Sequence, residues 1–252
     1  MQSPINESTM RIFSRLLGVC GVAALLVASV LAQAPTADDI VAKYLTARGG
    51  ADKLRAVNTV KMTGKLTGQP GEIAIVSWAK RPNMIRREST LKEQKIIIAS
   101  DGQTVWALNP MAGPTPREIT GPQAEAAKQD ASEFDPVLLD AKEKGLKVEL
   151  VGTEPVGGVS TYHLRVTKTS GPSQDIFLNA ETLLETKISM PIEQAGRKGT
   201  AAIEFSNFKT VDGIMVPFKI RQTIDGQTMA EVTYESIQFN APVDDALFRM
   251  PK

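Results

Sequence analysis

The 252-residue chain contains one histidine, His163, and one cysteine, Cys20. Imidazole and thiolate are the usual bases, nucleophiles and soft metal ligands near neutral pH, so these two positions are where chemistry is sought first. His163 lies on the polar face of the alternating stretch STYHLRVTK, beside Arg165. A solvated or hydrogen-bonded strand histidine is its simplest reading, with a ligand or general base as the alternative. Asp38-Asp39 and Asp244-Asp245 are paired acids. The first pair suits a helix N-terminus and the second a terminal turn. The sequence has no Gly-x-Ser-x-Gly, no Gly-rich phosphate loop, no His-Glu-x-x-His and no EF-hand loop. No enzymatic activity, metal or cofactor is therefore expected. A triad gathered around His163 from distant residues is the route by which an enzyme would remain.

The N-terminus carries the three parts of a secretory signal. Arg11 and Arg15 form the basic region, Leu16 to Leu31 the apolar core, and Ala32-Gln33-Ala34 a small-x-small cleavage site. Cleavage after Ala34 is expected, giving a signal over residues 1–34 and one domain over 35–252. Met10 is an alternative start to Met1. Cys20 sits inside the apolar core after Val19, unlike a lipobox, so the mature chain has no thiol and no disulfide. Setting aside Arg11, Arg15 and Glu7 leaves 27 basic against 27 acidic residues, a balance that argues against nucleic-acid binding.

The mature chain reads as mainly β. Thr36 and Asp39 form a capping box for a helix that carries Ile40, Val41, Tyr44 and Leu45 at helical spacing and stops at Gly49-Gly50. ADKLRAV follows as a short turn. Two-residue alternation then begins, with Val60, Met62 and Leu66 against Lys61, Thr63 and Lys65. It resumes after residue 146, with turns at Asp212-Gly213 and Asp225-Gly226. Between these blocks, residues 120–131 and 135–145 are rich in Ala, Lys and Leu and read as two short helices. About 10–11 strands and about three helices fit a single curved antiparallel sheet, an incomplete β-barrel whose concave face the helices cover. GEIAIVSWA and QKIIIAS are apolar on both faces and need cover on both sides. An exported concave apolar surface either fills itself or takes up a greasy ligand.

Trp78, Lys80-Arg81-Pro82-Asn83-Met84, Ser100-Asp101-Gly102, Trp106 and Asn109-Pro110 follow one another in an order that resembles the periplasmic outer-membrane lipoprotein carriers, the LolA/LolB-like family. DPVLLDAKEKG looks like that family's lid segment and ALFRMP like its closing turn. The likeness runs from about residue 37 to the C-terminus, and its specific part from Trp78 to about Pro114. Residues 196–240 make a longer C-terminal half than the compact carriers need, which points to a divergent relative.

The resemblance implies a half-barrel that shields the acyl chains of lipoproteins between the inner and outer membranes. Its partners would be an acylated lipoprotein or lipid, an inner-membrane exporter and an outer-membrane receptor, and the protein would be a periplasmic monomer. Arg81 corresponds to the arginine that hydrogen-bonds lid backbone and latches the empty cavity. Trp78, Trp106, Ile73, Ile75, Ile97, Leu138 and Leu139 are the further candidates for ligand contact. The alternative is a non-enzymatic lipid-binding or sensory envelope module of the same fold.

Overall fold

The computed structural model describes residues 34–251, apart from 69, 70, 133, 169–171, 195 and 196. Residues 1–33 of the expected signal lie outside the described residues. Pro35–Lys252 forms one compact unit. Its first helix, α1 (Ala37–Ala47), starts at the expected capping box, where Thr36 Oγ1 accepts from the Asp39 N–H at 3.1 Å and Asp39 Oδ2 accepts from the Thr36 N–H at 3.0 Å. A second, α2 (Ala51–Arg55), occupies the stretch expected to be a turn. Between them the chain grazes the turn at 212–213. A Cβ on Gly49 would fall 2.2 Å from the Gly213 carbonyl oxygen, and its φ of +112° is open to glycine alone at little cost.

One antiparallel sheet holds all the strands. They are β1 (Thr59–Gly68), β2 (Gly71–Lys80), β3 (Met84–Leu91), β4 (Gln94–Ser100), β5 (Val105–Leu108) and β6 (Arg117–Ile119) in the first block. The second block has β7 (Lys147–Val156), β8 (Val159–Thr167), β9 (Gln174–Asn179), β10 (Glu185–Gln194), β11 (Arg197–Val211), β12 (Ile214–Ile224) and β13 (Gln227–Phe239). Each block is a meander, and β1 pairs with β13 to join them, so the order runs from β6 through β1 and β13 to β7. The sheet does not close, because β6 and β7 are its two edges. It has 13 strands against the 10–11 expected; β6, three residues long, is too short to display alternation.

Leaving one edge at β6 and re-entering at the other at β7, residues 120–146 must cross the sheet. The crossover begins with α3 (Pro122–Ser132), which packs on β3, β4 and β5. The helix expected over 135–145 is instead a run of turns. Asp140 breaks it with a φ of +54°, while its carboxylate accepts from Arg55 Nε and Nη2 at 3.0 and 2.6 Å. The break sends adjacent leucines into separate cores. Leu138 joins Ile40, Tyr44, Leu164, Val166, Ile176 and Leu178, and Leu139 joins Leu54, Val57, Ile214, Val216, Phe218 and Ile237. The face of the sheet that receives α1, α2 and the crossover is its inner face.

Candidate functional site

Pairing register places an apolar surface on the inner face of the central strands. Phe239, Val60, Ala79 and Ile85 form one row across β13, β1, β2 and β3. Ile237, Met62, Ser77 and Arg87 form the next, and Tyr234, Gly64 and Ile75 the one after. A further row runs Phe205, Ile220, Val232, Leu66 and Ile73 from β11 to β2. Gly64 marks a bulge against β13, where a Cβ would come within 2.3 Å of the Thr233 carbonyl oxygen. Over these rows lie Ala131 and Phe134 from the crossover. Together they line a half-open cavity of about 290 Å³ whose walls include Met62, Ile85, Phe134, Val216, Ile220 and Phe239.

Arg81, at the end of β2, fastens the crossover over this cavity. Its Nη1 and Nη2 donate to the two carboxylate oxygens of Asp135 at 2.8 and 2.5 Å, a forked pair. Nε donates to the Val57 carbonyl at 2.7 Å and Nη2 reaches the Leu54 carbonyl at 3.4 Å, while the guanidinium lies 4.6 Å from the Phe134 ring centre. The backbone acceptors thus belong to the α2–β1 connection, and the bond to the crossover runs to a side chain. Two further ties act on the same segment, Arg55 to Asp140 and Lys142 to Asp38 at 2.7 Å. Hydrogen bonding to Arg55 holds the Asp140 carboxyl below the usual carboxylate range.

Among the described residues that line the cavity, two carry polar head groups, Arg87 and Tyr234. Arg87 is exposed, and it is held by a contact of its own within the protein. Burial pushes the Tyr234 hydroxyl above its ordinary range, and the positive charge of Arg87 pulls the other way. The cavity therefore has an apolar interior and one cationic corner. Sequence reading missed both residues. The signal was present in Ile85 and Arg87, which share one face of a strand whose neighbour Arg86 points to the other.

The other sequence candidates divide by face. Ile75 and Ile73 share the cavity's face, Ile75 in the row of Tyr234 and Ile73 in the row beyond it. Leu138 and Leu139 are 2% and 0% exposed and belong to the two cores. Trp78, Trp106 and Ile97 lie on the outer face, opposite the cavity. Lys61 sits over the Trp78 ring at 5.7 Å. Trp106 is fully buried, packs with Ile97 and Ala99, and donates from Nε1 to the Phe248 carbonyl at 2.7 Å. The C-terminal strap that supplies Phe248 is held by Arg86 on the Leu247 carbonyl and by Lys80 on Asp245.

His163 is also on the outer face, stacked on Phe177 with ring centres 4.5 Å apart. Its Nε2 lies 2.9 Å from Asp175, and its Nδ1 lies 2.6 Å from Glu154 without the alignment of a hydrogen bond. Both ring nitrogens face carboxylates, so neither is turned to a serine hydroxyl. A buried cluster of Tyr44, Arg48 and Glu185 ties α1 to β10, and Arg48 Nε donates to the Met215 carbonyl at 2.7 Å. Among the described residues no group of His, Cys, Asp and Glu could hold a metal ion.

No family model matches the chain, and no curated protein matches its sequence. Solved structures do match its fold. A LolA superfamily protein from Nitrosomonas europaea is 16% identical, with a TM-score of 0.56 over 86% of this chain and 98% of its own. A DUF1329 family protein from Desulfovibrio piger is also 16% identical, with a TM-score of 0.56 over 83% of this chain and 97% of its own. A domain from Vibrio parahaemolyticus described as an outer membrane lipoprotein-sorting protein is 14% identical, with a TM-score of 0.53 over 84% of this chain and 97% of its own. The chain has the LolA-like fold, and at these identities the likeness is one of fold.

Proposed function

We propose that this LolA-like half-barrel is a periplasmic carrier that shields acyl chains of lipoproteins, exported by a signal cleaved after about Ala34. The observation that carries the reading is the apolar cavity lying under a crossover that one arginine fastens. Burying hydrocarbon is worth about 25 cal/mol per Å², or about 0.8 kcal/mol for each methylene. A chain of a dozen carbons would then hold too firmly to be passed on unless closure opposed it. The Arg81–Asp135 fork supplies that opposition, because entry of a chain beside Phe134 must lift the segment that Arg81 holds. Arg81 is the latch in this reading, and Ile73 and Ile75 extend the apolar track beyond the cavity. An inner-membrane exporter and an outer-membrane receptor would load and unload the carrier.

A second reading is favoured by the cavity's size. At 290 Å³ it stands at the low end of the range of roughly 300–1,000 Å³ usual for small-molecule sites. This suits one acyl chain better than several, as expected of an envelope module that binds or senses a single lipid. Protein purified gently from a periplasm should bring acylated polypeptide or lipid into the mass spectrometer, and Arg81→Leu should raise the load. Transfer of lipoprotein from inner-membrane vesicles identifies the carrier. Bound lipid without transfer identifies the single-lipid module, and absence of both defeats the two readings together.

A further inference from the structure

We propose that the cavity takes an anionic amphiphile, with the chain among Met62, Ile85, Phe134 and Ile220 and a carboxylate or phosphate head on Arg87 and the Tyr234 hydroxyl. The proposal rests on the acyl-binding reading and adds the chemistry of the head group.

The argument begins with position. Arg86 and Arg87 are consecutive on β3 and point to opposite faces. Arg86 is spent on structure, donating to Glu88 at 2.8 Å and to the Leu247 carbonyl at 2.8 Å, with its guanidinium 5.4 Å from the Trp106 ring centre. Arg87 instead lines the cavity, in a row with Ile237, Met62 and Ser77. A guanidinium beside an apolar wall presents a planar charge that an anionic head group complements with paired hydrogen bonds. Its depth also matters. Arg87 is exposed, whereas Ile237 and Val216 on the same cavity are buried, so the cation marks the mouth and the hydrocarbon walls the interior. An amphiphile with its charge at one end matches that gradient along its length. Tyr234 adds a phenol that keeps its proton near neutral pH and can donate it to the same anion. Because Arg87 is held by the protein as well, a head group competes for it.

Calorimetric titration of the full mature chain with laurate below its micelle concentration, and with methyl laurate within its aqueous solubility, separates head from chain. Laurate should bind about tenfold more tightly than its methyl ester, the scale of one charge-assisted hydrogen-bonded pair. The preference should shrink as salt rises. Arg87→Gln should abolish it, Arg87→Lys should retain part of it, and Tyr234→Phe should lower it about threefold. Equal affinity for acid and ester, or a preference that survives Arg87→Gln, overturns the head-group assignment and leaves acyl binding standing. Failure of both ligands to bind overturns the acyl reading and this proposal with it. Competition by inorganic phosphate or acetate as effective as laurate would show a free-anion site, and would overturn the amphiphile. If Arg87→Gln does not fold, Arg87→Lys and Tyr234→Phe decide between the same outcomes.

Discussion

The two halves of the sheet are covered differently. Over β7 to β10 and β12 the inner face is packed by α1, α2 and the turns of residues 136–146. The outer face there carries interleaved charges, with Glu204 bonded to Arg221 and Lys219 to Glu231. Over β2 to β5 there is cover from both sides, with α3 on the inner face of β3, β4 and β5. The outer face is sealed by Trp106, Ile97, Ala99 and the C-terminal strap, and part of the inner face is left as a cavity. A strand needs apolar burial on at least one side to stay in register. The strap supplies it from outside along β2, β3 and β5, through Lys80, Arg86 and Trp106, so that the inner-face residues Ala79 and Ile85 can border a cavity. The cavity lies at the seam of the two, with walls from β12 and β13 as well as from β1 to β3.

The widest separation between the halves should appear when one buried methyl cluster is deleted from each. Leu164, fully buried between α1 and the sheet, should cost about 2–5 kcal/mol when truncated to alanine. Ile85→Ala widens a space that already exists, so it should cost less than half as much and alter ligand affinity instead. Urea unfolding of both variants tests this, and equal losses would mean that the cavity is as tightly packed as the core. Next in size is the strap. Trp106→Phe removes the donor to the Phe248 carbonyl and strands a buried acceptor, which costs about 1–3 kcal/mol. If the strap is what lets Ala79 and Ile85 border a cavity, this change should also weaken ligand binding from the far side of the sheet.

A smaller effect on stability is expected at the latch, where Arg81→Leu should cost about 1–2 kcal/mol, since the fork is partly solvated. Its larger effect should be on occupancy, read as the lipid that accompanies the purified protein. Stability lost with no change in load would make Arg81 a fastening of the frame.

The frame was legible in sequence because its signals are local. The capping box fixes α1, alternation fixes the strands, and Asp-Gly pairs mark the turns at 212–213 and 225–226. What alternation cannot give is which face of a strand ends up inside, since that depends on what covers it. Trp78 and Trp106 show the difficulty, being conspicuous in the sequence and outward in the fold. The partner of Arg81 was equally hidden, because Asp135 lies 54 residues away and is brought in by the crossover. DPVLLDAKEKG has helical composition, yet tertiary demand prevails over propensity there: two cores pull Leu138 and Leu139 apart, and Arg55 binds the residue at the break.

The finest test of the outer seal is its pH dependence, through Glu88. Burial raises this carboxyl, but hydrogen bonds and charges from Lys95 and Arg86 outweigh that and hold it below the ordinary carboxylate range. A depressed folded-state value means that the unfolded chain binds its proton first as the pH falls. The stabilisation is therefore complete above the ordinary carboxylate value and is lost as pH falls through the lower folded value. Glu88→Gln should cost about 1 kcal/mol at pH 7, and the gap from the parent should close in that acid window. Because Arg86 also holds Leu247, loosening Glu88 should free the strap before it disturbs the filled half. Hydrogen exchange within that acid window should then show β3 to β5 opening ahead of β8 and β9. Simultaneous opening of both halves would mean that the outer seal and the inner core are one cooperative unit.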